Sequence, residues 1–197
     1  MQDEQRERFD TLYRVARAKI LAYALRRVPS AEDAADVLAE TFTIAWRRLD
    51  QVPGGDEALL WLYVVARNVI QNDRRRQQRR SDLVERVARC VPDEGTRALP
   101  RDEEGLVALL CLRALADEER EVLMLTAWEG LAPSAVARVL GCSPGAARVR
   151  LHRARRRLHR AIAAFTRTEA DHAARALHGV GPDGTRVASD PQGGLTS

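Results

Sequence analysis

Seven arginines and no acid lie between residues 148 and 165, and residues 67–89 carry eight basic groups against three acidic ones. Guanidinium groups present forked N–H donors that match phosphate oxygens, and they keep their charge at any working pH. Residues 1–66 and 90–147 are each net acidic. Two short cationic segments on such a body suit a polyanion held in two places, which points to nucleic acid. A single arginine run is ordinarily a solvated helix face. The acid-free stretch argues against that reading. The choice of Arg over Lys fits GC-rich coding and carries no functional weight.

The element that must position the acid-free stretch is a helix-turn-helix. Val136, Val139 and Leu140 form a short apolar helix that stops at Gly141, a residue able to take the left-handed conformation that turns the chain. Ser143 then serves as N-cap, and Pro144 follows at the first helical position, where its missing N–H costs nothing. Pro133 supplies the start signal of the first helix. In the last helix Ala147, Leu151, Ala154, Leu158 and Ile162 share one stripe and are expected to face inward. The outer face then presents Gly145, Ala146, Val149, His152, Arg153 and Arg156, with Arg148 and Arg150 at its margins. Ser143, Gly145, Ala146, Arg148, Val149, Arg150, His152 and Arg153 are the expected DNA contacts. The early members reach base edges and the later arginines grip phosphate. Val149 can offer only apolar contact, as with a thymine methyl.

The rest of the chain also reads as helix. Ala34, Val37, Leu38, Thr41, Phe42, Ala45, Trp46 and Leu49 recur at alternating steps of three and four, and Ser30 with Asp33 resembles a capping box that opens this helix. Trp46 and Trp61 sit among apolar positions and are expected in the core. Asp50–Glu57, with Pro53, Gly54 and Gly55, must be a loop. An apolar run from Leu59 through Ile70 continues without a breaker into Arg74-Arg75-Arg76, one long helix with a buried first half and a cationic second half. Residues 8–27 form a weaker amphipathic helix. Residues 106–115 and 117–129 are two more, and Gly130 is a suitable stop. Residues 90–105, with two prolines, two glycines and no periodicity, read as an interdomain linker. Residues 166–197 are expected to be disordered, apart from a helical turn or two at 170–177. The predicted fold is all-α, two small helical domains joined by a flexible linker. Residues 1–89 make up the first domain and 106–165 the second.

Composition excludes several classes. The chain has 197 residues, 45% of them hydrophobic and 30% charged, with a formal charge of +4. No run approaches the ~18 apolar residues of a membrane span, and the charged start lacks a signal-peptide core. Cys90, Cys111 and Cys142 form no metal-ligand or disulfide pattern. No metal or cofactor is expected, nor membrane insertion, and a reducing cytoplasm is the expected compartment. His152, His159, His172 and His178 have no carboxylate cluster around them, so an enzyme acting on nucleic acid is disfavoured.

The amino-terminal half turns a generic DNA binder into something more specific. Asp36-Val-Leu-Ala-Glu40-Thr-Phe42-Thr-Ile-Ala-Trp46, then Trp61-Leu62, Ala66-Arg67-Asn68 and Asp73-Arg74-Arg75, resembles region 2 of the extracytoplasmic-function (ECF) sigma factors of bacterial RNA polymerase. Leu115-Ala-Asp-Glu-Glu-Arg120-Glu-Val-Leu, Glu129-Gly130-Leu131, Cys142-Ser143-Pro-Gly145 and Arg150-Leu-His-Arg153-Ala-Arg155 resemble their region 4. The resemblance implies a dissociable, non-enzymatic promoter-specificity subunit whose partners are core RNA polymerase and promoter DNA, with an anti-sigma factor as a further expected partner. It places Asp36, Glu40, Phe42 and Trp46 on or beneath the polymerase-binding surface. Arg67, Asn68, Arg74, Arg75 and Arg76 would face the −10 element, the loop Gln51–Glu57 would capture an unpaired base there, and the helix-turn-helix would read the −35 element. Ala39, Ala135, Ala147 and Val149 depart from residues the family often carries, so promoter preference does not transfer. The rival reading is a stand-alone helix-turn-helix regulator, which would need a dimerisation helix that the sequence does not display.

Overall fold

A computed structural model describes the backbone of residues 2–85 and 103–177, and the side chains of residues 3–79, 105 and 107–168. Seven α-helices and one short 3-10 turn make up the described residues, which contain no strand. They are α1 (Gln2–Leu25), α2 (Ala31–Arg47), α3 (Asp56–Glu85), α4 (Glu103–Arg113), α5 (Asp117–Ala127), α6 (Pro133–Leu140) and α7 (Pro144–Leu177), with the 3-10 turn at Leu49–Gln51 between α2 and α3. Most of the expected linker, Cys90 and the last twenty residues of the expected tail lie outside the described residues.

Local chemistry sets the boundaries. Ser30 caps α2 as a full capping box: its Oγ accepts from the Asp33 N–H at 3.0 Å, and its own N–H donates to Asp33 Oδ2 at 3.2 Å. The Pro53-Gly54-Gly55 loop is anchored by Leu49, Val52 and Ala58, which form a small buried cluster against Phe9, Leu12 and Trp61. Gly55 sits there at φ +62°, a conformation that side chains with a Cβ resist. Gly141 ends α6 at φ +65°, and the Cys142 N–H reaches back to the Ala137 carbonyl at 2.9 Å. Ser143 then caps α7, its Oγ accepting from the Ala146 N–H at 3.2 Å. The turn drawn from the sequence is therefore the turn that forms.

Helices α1, α2 and α3 pack on one another, as do α5, α6 and α7. Ile20, Tyr23 and Ala24 of α1 meet Ala34, Val37, Phe42 and Ala45 of α2 and Leu62, Ala66 and Ile70 of α3 in the interior. In the carboxyl half the core is Val122 and Leu125 of α5, Val136 and Val139 of α6, and Ala147, Leu151 and Ala154 of α7. The inward stripe of the last helix is thus as expected. The small residues Ala147 and Ala154 let α7 lie close to its neighbours.

Two features depart from the sequence reading. Trp46 is 49% exposed rather than buried: it lies in the last turn of α2, and its ring meets Phe9 edge-on, 5.1 Å between centroids, instead of entering the core. Trp61 is partly buried and packs on the core. The final helix continues to Leu177 instead of giving way to disorder at residue 166. No Gly or Pro occurs between Gly145 and Gly179, so nothing in that stretch breaks the helix, and alanine favours it. The two domains also meet. α6 packs on α3, and a single apolar cluster runs through both halves.

Candidate nucleic-acid interface

The outer face of α7 matches the face drawn from the sequence. Gly145, Arg148, Val149, His152, Arg153 and Arg156 are exposed, while Ala146 and Arg150 are half-buried. Position along the helix sorts the arginines by what their charge already meets. Arg150 lies 3.3 Å from Glu118, and Arg157 donates to Glu119 at 2.8 Å, so acids of α5 occupy both. Arg148, Arg153, Arg155 and Arg156 have no ion-pair partner among the described residues. Cationic side chains that pair with nothing are available to phosphate, and those next to the turn, with Val149 between them, are available to base edges. Ser143 stands at the helix start, where its hydroxyl is committed to the cap.

The second patch lies along α3, and its polar residues divide between two faces. Asn68, Arg75 and Arg76 line an open groove between α2 and α3, shared with Asp36, Glu40 and Arg47. The residues implied to touch polymerase and those implied to touch DNA thus border one groove from opposite sides. Phe42 does not line this groove: it is buried, with its ring against Phe9 and Tyr13 of α1. Tyr13 and Phe42 meet edge-on at 4.8 Å, which ties α1 to α2. Asp73 lies 3.9 Å from Arg76.

The other face of α3 is not free. Arg67, Arg74 and Arg75 line a cleft whose far wall is Asp117, Glu118 and Glu121 of α5. Arg74 Nη2 donates to the Arg27 carbonyl at 2.9 Å, and its Nη1 lies 3.7 Å from Asp117. Below this cleft is a cluster that sequence reasoning missed. The Arg27 guanidinium donates from Nε to both oxygens of Glu121, at 2.9 and 3.1 Å, and from Nη1 to Glu129 Oε1 at 3.1 Å. Arg26 donates to the same Glu129 oxygen at 2.7 Å, and Tyr23 Oη donates to Glu121 at 3.0 Å. Burial by itself would lower the Arg27 pKa, but Tyr23, Glu121 and Glu129 facing it outweigh burial and hold it above the ordinary value. Burial, then the neighbouring Glu121 charge, pushes the Tyr23 phenol well above its usual range. The only sequence signal for this cluster is a pair of arginines directly after the apolar last turns of α1, Ile20–Leu25. Their partners lie about a hundred residues away along the chain.

Among the described residues no group of three or more His, Cys, Asp or Glu side chains is arranged to hold a metal ion, and no helix is long and apolar enough to cross a membrane.

Comparison with known proteins identifies the frame. The family described as Sigma-70 region 2 matches residues 12–80, and Sigma-70, region 4 matches residues 106–158. The chain is 31% identical over 165 residues to the RNA polymerase sigma-H factor of Pseudomonas aeruginosa, covering 78% of this chain and 86% of that one. It is 34% identical over 155 residues to the ECF RNA polymerase sigma factor SigL of Mycobacterium tuberculosis, covering 75% and 84%. Among solved structures, CnrH in complex with the cytosolic domain of CnrY superposes with a TM-score of 0.54 at 27% identity, over 79% of this chain and 88% of that chain. The sigma factor RpoE of Bartonella quintana, in complex with the anti-sigma factor NepR, shares the fold at a TM-score of 0.62 and 22% identity, over 82% and 98%. With both regions matched in order and relatives covered over most of their length, the chain belongs to the ECF sigma factors of bacterial RNA polymerase.

Proposed function

We propose that this sigma factor divides its work between two surfaces. Residues 1–89 would engage core polymerase and the −10 element, and residues 106–165 would read the −35 element as duplex. Asp36 and Glu40, acidic and exposed on α2, are the polymerase contacts, with Trp46 at the edge of the same helix and Phe42 as its support. Asn68, Arg75 and Arg76, with Arg67 and Arg74, hold the opened strand. Opening a duplex costs stacking and pairing energy, which cationic groups recover by holding the separated strand. Gly145, Ala146, Arg148, Val149, His152 and Arg153 read the upstream element. Arg155 and Arg156 add phosphate contacts. The action is binding rather than bond-making, carried out in the cytoplasm with polymerase, and an anti-sigma factor is a natural further partner.

The observation that carries this reading is the set of exposed, unpaired arginines following a glycine-turned, serine-capped helix start. The test separates the two surfaces. Arg148→Ala with Arg153→Ala should weaken recognition of the upstream element and leave copurification with core polymerase intact. Glu40→Ala should do the reverse. Identical defects from both would sink the assignment. A stand-alone regulator, the reading the family membership disfavours, would bind an operator tightly without polymerase.

A further inference from the structure

We propose that the carboxyl half of α7 is a further DNA-binding surface, with Arg160 and Arg167 holding the backbone of the duplex on one flank of the −35 element. The proposal rests on α7 reading that element, and it carries the footprint beyond it. α7 runs for 34 residues, whereas the match to region 4 ends at residue 158. The helix past residue 158 is therefore outside what the family match covers, and its charge is one-sided.

Arg160 and Arg167 follow Val149 by 11 and 18 residues. Those steps are about three and five whole helical turns, so both arginines stand almost directly behind Val149, with Arg153 and Arg156 close to the same line. All four arginines are exposed, and Arg160 and Arg167 have no hydrogen-bond or ion-pair partner among the described residues. Glu118 and Glu119 of α5 reach Arg150 and Arg157 instead, about a quarter turn to the side. No acid occurs from Gly130 through Thr168. On the opposite side Leu158, Ile162 and Phe165 are half-buried, and α4 packs on α7. The rear half is thus held in line with the front.

A rigid helix fixes where its rear goes once its front is placed. With Val149 at a base edge, Arg160 stands about 17 Å and Arg167 about 27 Å further along the axis, at about 1.5 Å per residue. The major groove winds around the duplex while the helix runs straight, so the rear leaves the groove floor and passes over the phosphates that border it. The two distances span at most about five and eight base steps of about 3.4 Å. Guanidinium groups there meet backbone and not base edges, so they add affinity without reading sequence. They act on one flank only, because the helix has one direction. An acidic protein face would also suit unpaired cations, but the alignment with Val149 favours the duplex already in place.

The test titrates the holoenzyme with salt on three duplexes, read by fluorescence anisotropy. One duplex ends at the edges of a −35 element selected from a random library, and the others add about ten base pairs on one flank or the other, more than the reach of Arg167. Arg160→Ala with Arg167→Ala should lessen the log–log salt slope by about 1.8 on one extended duplex and leave it unchanged on the other two. Alanine favours helix, so α7 itself is kept. Arg160→Lys with Arg167→Lys should retain the parent slope, because phosphate accepts either charge. Equal loss on all three duplexes, loss on both flanks, or a lysine pair that behaves like the alanine pair would each overturn the proposal. So would unchanged slopes throughout, the result expected if these arginines serve an acidic protein. Failure of the −35 assignment reads differently: Arg148→Ala with Arg153→Ala would then bind the short duplex as the parent does.

Discussion

The division of α7 arginines into paired and unpaired groups makes a quantitative demand on DNA binding. Arg148 and Arg153 are exposed and have no ion-pair partner among the described residues, whereas Arg157 already donates to Glu119 at 2.8 Å. Removing an arginine that neutralises a phosphate lessens the log–log salt slope by about 0.9. Arg148→Ala with Arg153→Ala should therefore lessen it by about 1.8. Between about 50 and 200 mM salt, a factor of four, the parent should lose about tenfold more affinity than the double variant. Arg157→Ala should change the slope far less, because its charge is already compensated within the fold. The assay is fluorescence anisotropy of the holoenzyme on a duplex selected from a random library, titrated at several salt concentrations. Equal slope changes from Arg157→Ala and Arg153→Ala would refute the reasoning, as would an unchanged slope in the double variant. Either result would mean that the outer face of α7 does not follow the phosphates.

Other consequences can be checked by unfolding. Gly141→Ala places a Cβ in open space but at φ +65°, so the penalty is backbone strain alone, about 1–2 kcal/mol in chemical denaturation. Leu125→Ala, at a fully buried position of α5, should cost about 2–5 kcal/mol; a loss below 1 kcal/mol would contradict the packing. The Tyr23 phenol has its pKa raised on folding, so the folded chain resists ionisation that the unfolded chain accepts. Its stabilising contribution is complete below the ordinary tyrosine pKa of about 10 and is lost as pH rises beyond it. Tyr23→Phe should flatten that alkaline decline while costing about 1 kcal/mol at neutral pH for the lost hydrogen bond to Glu121. Glu57 is held below the ordinary carboxylate range by its hydrogen bond from Arg138. That contact should weaken as pH falls through the lowered value, and Glu57→Gln should remove the dependence.

Much of this protein was written in local pattern. The three-and-four spacing of α2, the Ser30–Asp33 capping box and the Gly141–Pro144 turn are decided by residues a few positions apart. They were legible because backbone hydrogen bonding and one-sided burial act over that range. The same locality exposed the outer face of α7, since its inward stripe left only one side for Val149 and Arg153.

Distance along the chain hid the rest. Whether Trp46 is covered depends on where Phe9 of α1 lies, and whether an arginine of α7 is free depends on which acids of α5 come beside it. Asp117, Glu118 and Glu119 occupy the first turn of α5, where acids suit the helix's positive end, and in three dimensions each pairs with a basic side chain from elsewhere. Arg27 and Glu129 look like ordinary surface charges until the halves meet and bury them. Local sequence sets what each helix is and which side turns inward. Only the packing of one half on the other decides which charges remain free to bind, because an ion's partners are chosen through space.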